Sequence, residues 1–219
     1  MPESLRESIL SHGLIAICRR IYGDSLLNLA EALYKGGVRQ MEVTFDQVDP
    51  DGVRHTSEAI EALCKRFPEM DFGAGTVLTT DQVDAAQQAG GTFIVSPNTD
   101  GAVIAHTKAR GMVSIPGAMT PSEIVVAHQA GADIVKLFPA GYLGTGYIKD
   151  VTAPISHIKL LATGGVTVDN FASFLRAGCC GAGLGGTLCN KELINAGKWA
   201  ELTELAAAFI RVFQEERGQ

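Results

Sequence analysis

No stretch of about 18 apolar residues runs anywhere in the 219-residue chain, so no membrane-spanning helix is expected. The opening segment, MPESLRESILSHG, is acidic and amphipathic and has no apolar signal-peptide centre. No basic block interrupts a chain of net charge -6, which argues against nucleic acid as a partner. An anionic small molecule stays open, because backbone amides can bind one locally. The cysteines number five (Cys18, Cys64, Cys179, Cys180, Cys189) and lack CxxC spacing. That odd, unpatterned set reads as reduced thiols in the cytoplasm. The histidines, His12, His55, His106, His128 and His157, form no HxH or HExxH spacing. Metal chemistry is therefore not expected, and each histidine reads as a surface or loop residue.

What the chain does have is glycine, 25 of them, in a composition that is 46% hydrophobic. Gly37, Gly91, Gly111, Gly131 and Gly178 each follow a helix-like segment and precede an apolar run. They are natural helix C-caps. The apolar runs are Leu14 to Cys18, Val38 to Phe45, Asp71 to Thr76, Thr92 to Val95, Met112 to Ile115, Ala132 to Phe138, Ile158 to Thr163 and Cys179 to Leu184. Between them, Thr120-Pro121-Ser122-Glu123 is a capping box with proline at the first helical position. Thr80-Asp81 and Thr167-Val168-Asp169 open helices in the same manner. Eight strands alternating with helices predict a parallel sheet closed into a single (β/α)8 TIM barrel over 1–219, with an extra N-terminal helix. A doubly wound open sheet is the second architecture, but the first turn carries no GxGxxG.

In such a barrel, function gathers where strands end. Lys136 stands inside Ile134-Val135-Lys136-Leu137-Phe138-Pro139, and of eight lysines only this one interrupts a strand core. Desolvation disfavours an ammonium there, and a neutral amine attacks ketones to form a Schiff base. Strand alternation puts Ile134, Lys136 and Phe138 on one face, with Val135 and Leu137 on the other. Glu42, in Met41-Glu42-Val43-Thr44, is a second lone charge in an apolar strand and a candidate general acid/base. The competing reading is a structural Lys136–Glu42 ion pair. The seventh and eighth strands end in Thr163-Gly164-Gly165-Val166 and Gly183-Leu184-Gly185-Gly186-Thr187. Glycine loops at those positions are the recurrent phosphate site of these barrels, although tight βα turns would look alike.

Those residues together resemble the class I aldolases that act on 2-keto-3-deoxy-6-phosphogluconate (KDPG) or 4-hydroxy-2-oxoglutarate (KHG). The matching pieces are Glu42-Val43-Thr44, Gly73-Ala74-Gly75-Thr76-Val77-Leu78, Ser96-Pro97-Asn98, Thr120-Pro121-Ser122-Glu123, Lys136-Leu137-Phe138-Pro139-Ala140 and Thr163-Gly164-Gly165-Val166. They run in order over nearly the whole chain. The resemblance implies Lys136 as the Schiff-base lysine and Glu42 as the proton-transfer residue. It implies Arg19, Thr76, Pro97, Thr163 and Gly164 as substrate contacts, with Gly165, Gly185 and Gly186 on the phosphate. It further implies cleavage of KDPG to pyruvate and glyceraldehyde 3-phosphate, with KHG cleavage to pyruvate and glyoxylate beside it, no cofactor, and a homotrimer. One segment departs from the pattern. The KDPG branch has an arginine after Glu-Val-Thr that helps hold the pyruvate carboxylate, whereas Phe45-Asp46-Gln47 follows here. The branch acting on 2-keto-3-deoxy-6-phosphogalactonate also lacks it and shares the Ser-Pro-Asn turn, so that branch is the alternative. Thr187 replaces a serine common in the phosphate loop. Asp46 is expected to face helices or solvent, since the strand should be ending there. A different class, a phosphosugar-binding barrel with isomerase, epimerase or synthase chemistry, would use the glycine loops equally well.

Overall fold

The computed structural model describes residues 4–218. Its strands are β1 (Leu14–Cys18), β2 (Gln40–Thr44), β3 (Asp71–Gly75), β4 (Phe93–Val95), β5 (Val113–Ile115), β6 (Gly117–Ala118), β7 (Val135–Leu137), β8 (Leu160–Thr163) and β9 (Cys179–Leu184). All lie in one parallel sheet in the order β5-β4-β3-β2-β1-β9-β8-β7-β6. The expected fifth strand, Met112 to Ile115, forms β5, and beyond Pro116, which has no N–H to give a ladder, the same stave continues as β6. Its first half pairs with β4 and its second half with β7. The Lys136 N–H donates to the Pro116 carbonyl at 2.9 Å, which closes the barrel across the break. The fold is thus the expected TIM-type barrel, with nine strand pieces forming eight staves.

Helices alternate with the strands: α1 (Leu5–His12), α2 (Gly23–Lys35), α3 (Gly52–Arg66), α4 (Thr80–Gln88), α5 (Gly101–Ala109), α6 (Pro121–Gln129), α7 (Ala140–Thr152), α8 (Val168–Arg176), α9 (Lys191–Asn195) and α10 (Trp199–Arg217). The Thr120 capping box forms with Glu123, whose carboxylate accepts the Thr120 N–H at 2.7 Å. Thr167 heads α8, its N–H donating to Asn170 Oδ1 at 2.8 Å. The cap of α4 is Thr79 and not Thr80, because the Thr79 hydroxyl is the one that accepts the Gln82 N–H. Gly37, Gly111, Gly131 and Gly178 take the left-handed conformation expected of helix-ending glycines. After α4 the turn falls one residue early, on Gly90, and Gly91 is left in ordinary backbone. Several strands are also shorter than the apolar runs that mark them. Hydrophobicity reports burial on both faces of a stave, and hydrogen-bonded pairing stops sooner.

Strand alternation divides the core. Ile15, Phe93, Val95, Ile115, Ile134 and Leu161 fill the barrel interior, and Ile9 of α1 packs with them. The helix α1 therefore acts as a plug, with Ser4 and Glu7 capping its start and Gly13 (φ 70°) ending it. Gly13 must be glycine twice over, since a Cβ there would lie 2.1 Å from the Phe213 ring. Val43, Val135 and Leu137 point outward into the layer between sheet and helices. There Phe171 of α8 packs against two rings of α10, tilted against Phe209 and stacked with Phe213, with ring centroids 5.7 and 6.4 Å away.

Candidate active site

Because Val135 and Leu137 are anchored outward, Lys136 between them must point inward. It is 8% exposed, with Nζ 5.3 Å from the Phe138 ring centroid. Among the described residues its side-chain amine makes no ion pair or hydrogen bond. Burial pushes its amine below the ordinary lysine range and Arg19 adds to this, while the charge of Glu42 opposes. Glu42, 2% exposed, stands opposite Gly73 in the β2–β3 ladder. Its carboxylate lies against Gly75, where a Cβ would come 2.2 Å from Oε1. Burial raises this carboxyl above the usual carboxylate range, and Lys136 and Arg19 offset part of the rise. Glu42 and Lys136 thus feel each other without an ion pair or hydrogen bond between them, which weighs against the reading of the pair as a structural salt bridge.

Above Lys136 opens a cavity of about 780 Å³. It is lined by Arg19, Thr76, Pro97, Lys136, Thr163, Gly164, Gly165, Gly185 and Gly186, nine of the ten residues singled out in the sequence. Glu42 is the tenth; it is buried outside that lining, with its carboxylate against Gly75. The Thr163 hydroxyl is buried without a hydrogen-bond partner among the described residues, which leaves it free for a polar ligand atom. The two glycine loops meet at one side of the mouth. Thr187 Oγ1 donates to the Val166 carbonyl at 3.1 Å, and Asn170 Nδ2 donates to the Gly165 carbonyl at 2.9 Å. Gly164 and Gly165 both have positive φ (88° and 76°), and the Gly141 N–H donates to the Gly164 carbonyl at 2.8 Å. With these carbonyls turned to the protein, the loops can turn their N–H groups to an anion.

Asp46 is absent from the cavity. The Arg20 guanidinium binds it at 2.6 and 2.9 Å and holds its carboxyl below the ordinary range, as the end of β2 led one to expect. Phe138, Cys189 and Lys191 also line the cavity and were not singled out as site residues. Phe138 was legible as the inward neighbour of Lys136, and Lys191 as the first residue of α9 after the second glycine loop. Cys189 carries no sequence signal for a site, and its thiol is pushed up by contact with Cys18 and by burial. No cluster of metal-ligating side chains occurs among the described residues.

The family model for KDPG and KHG aldolase matches residues 6–205. The chain is 37% identical over 205 residues to the 2-dehydro-3-deoxy-6-phosphogalactonate aldolase of Escherichia coli (strain K12), covering 92% of this chain and 95% of that one. It is 35% identical over 193 residues to the 2-dehydro-3-deoxy-phosphogluconate aldolase of Treponema pallidum, covering 86% and 88%. The fold superposes with a TM-score of 0.82 on the KDPG aldolase of Legionella pneumophila, a structure with pyruvate captured as a covalent carbinolamine; identity is 28%, over 93% of this chain and 97% of that one. A buried inward lysine beside a buried acid, under a pair of glycine loops, is therefore found in a chain that belongs to the KDPG and KHG aldolase family.

Proposed function

We propose that this aldolase works by Schiff-base chemistry, cleaving 2-keto-3-deoxy-6-phosphogluconate to pyruvate and glyceraldehyde 3-phosphate, with 4-hydroxy-2-oxoglutarate as a further substrate. The observation that carries this reading is Lys136: inward, desolvated, unpaired among the described residues, and at the base of a cavity with two glycine loops at its mouth. Its free amine attacks the C2 ketone, and loss of water leaves an iminium that withdraws electrons from C3. Glu42 takes the C4 hydroxyl proton through a water, which suits a buried carboxylate that is not among the residues lining the cavity. The C3–C4 bond then breaks, releasing the phosphorylated aldehyde and leaving the pyruvate enamine on Lys136. Protonation at C3 and hydrolysis return pyruvate and the amine. Gly165, Gly185 and Gly186 hold the phosphate through backbone N–H groups, while Arg19, Thr76, Pro97, Thr163 and Gly164 surround the rest of the substrate. No step calls for a cofactor.

A second reading, cleavage of the galactonate epimer, is favoured by the 37% identity to the phosphogalactonate aldolase and by Asp46, ion-paired where the KDPG branch carries an arginine. Steady-state cleavage of the two epimers side by side decides. The proposal expects kcat/KM to favour the gluconate, and a preference for the galactonate of about tenfold or more would reassign the substrate. Among the described residues no helix is long and apolar enough to cross a membrane. The five unpaired cysteines support a cytoplasmic enzyme, and the family resemblance supports a homotrimer.

A further inference from the structure

Thr76 has φ 56°, a left-handed conformation that is strained for a β-branched residue. Such strain persists only where the surroundings over-determine it, and here they do. The Gly75 carbonyl accepts the Phe45 N–H at 2.9 Å, and the Val77 N–H donates to the Val95 carbonyl at 3.2 Å. Between these, the Thr76 carbonyl accepts a 2.8 Å hydrogen bond from Gln47 Nε2. Gln47 is itself held, since its Oε1 accepts from Gln82 Nε2 at 3.1 Å. Gln82 is buried and also accepts the Leu78 N–H at 2.7 Å. The loops after β2 and β3 are therefore fastened through one pair of glutamines, with Thr76 at the fastening.

The strand order decides which part of the site this serves. In the closed barrel, β3 stands across from β8 and β9, whose loops form the phosphate side. A substrate bonded to Lys136 at C2 and reaching those loops with its far phosphate leaves its carboxylate end toward β3 and Thr76. We propose that Gln47 is a positioning residue for the keto-acid end of the substrate: its side-chain amide holds Thr76 in the left-handed conformation that turns this residue into the cavity opposite the phosphate loops. This rests on the aldolase reading above. It also gives a use to the segment Phe45-Asp46-Gln47, in which the chain departs from the KDPG pattern: Asp46 is neutralised by Arg20, and the next residue acts through Thr76.

The test is the pyruvate concentration that half-saturates borohydride trapping on Lys136, measured for the unaltered protein, Gln47→Ala and Gln47→Glu. The second variant keeps the side-chain size, exchanges the N–H donor for a carboxylate oxygen and adds a negative charge, so the shift in the alanine variant, which adds none, is the decisive one. Loss of this bond should raise the half-saturating concentration about three- to tenfold in both, the usual worth of one hydrogen bond. Inhibition of cleavage by inorganic phosphate should not change, because that end of the site is remote. A Thr76→Gly background separates positioning from general loop integrity, since glycine accepts φ 56° without strain. There, Gln47→Ala should shift the half-saturating concentration less than twofold. An unchanged pyruvate dependence in the Gln47 variants, or an equal shift in both backgrounds, would overturn the role of Gln47 alone. Absence of any adduct in the unaltered protein would instead remove the aldolase reading, and this role with it.

Discussion

At the residue scale, two charges that the fold ought to resist explain the site. Glu42 and Lys136 each lose solvation, and burial moves their pKa values toward one another. The Glu42 carboxyl titrates above the ordinary carboxylate range, so cleavage should fall as pH drops through that raised value and the base becomes protonated. Lys136 has the opposite sign: its depressed pKa supplies free amine at a pH where an ordinary lysine is charged. Glu42→Gln should keep the fold and lower kcat by roughly 10²–10⁴. It should also remove the acid limb assigned to the carboxyl, which a pH profile of kcat/KM would reveal. A fully active but unstable Glu42→Gln protein would show the carboxylate to be structural. Both residues were legible in the sequence because a lone charge in an apolar run is a local anomaly. That the Glu42 carboxylate lies against Gly75, outside the cavity lining, was not legible, since it depends on the neighbouring strand.

At the scale of elements, the glycine loops make the phosphate claim testable one residue at a time. Gly165 is a poor probe: its positive φ and a Cβ only 2.9 Å from Gly141 would strain any side chain. Gly186 is a good one, because a Cβ there meets nothing within 4 Å and φ is not left-handed. Gly186→Val should leave thermal stability nearly unchanged and raise KM for the phosphorylated substrate, while borohydride trapping with pyruvate alone is spared. Equal losses in both assays would show that the loop does more than bind the phosphate. Helix starts were readable where a side chain caps them, as at Thr120, and misread by one residue where two threonines compete, as at Thr79-Thr80. The short β6 beyond Pro116 was not read from the sequence, where the fifth apolar run ends at Ile115, because a two-residue piece that pairs with β7 and not β4 leaves no pattern of its own.

At the scale of the whole molecule, the barrel carries a buried acid and a buried amine at the expense of its own stability. The folded Glu42 carboxyl lies above its unfolded pKa, so folding is penalised as pH rises past the ordinary carboxylate range. The folded Lys136 amine lies below its unfolded pKa, so folding is penalised at pH values below the ordinary lysine range. At neutral pH both penalties stand. The double variant Glu42→Gln with Lys136→Met should therefore be inactive and unfold with stability equal to the parent or higher by up to about 4 kcal/mol. Denaturant melts would show this, and a loss of several kcal/mol would mean that the pair holds the barrel together. Alternation of strands and helices made the barrel itself legible, since the period of each element follows from its burial. The most direct test of the central claim is borohydride reduction with pyruvate, followed by peptide mapping. The account predicts one pyruvate-derived adduct on Lys136, absent in Lys136→Arg, whose guanidinium stays protonated and cannot attack. An adduct on another lysine, or none, would contradict it.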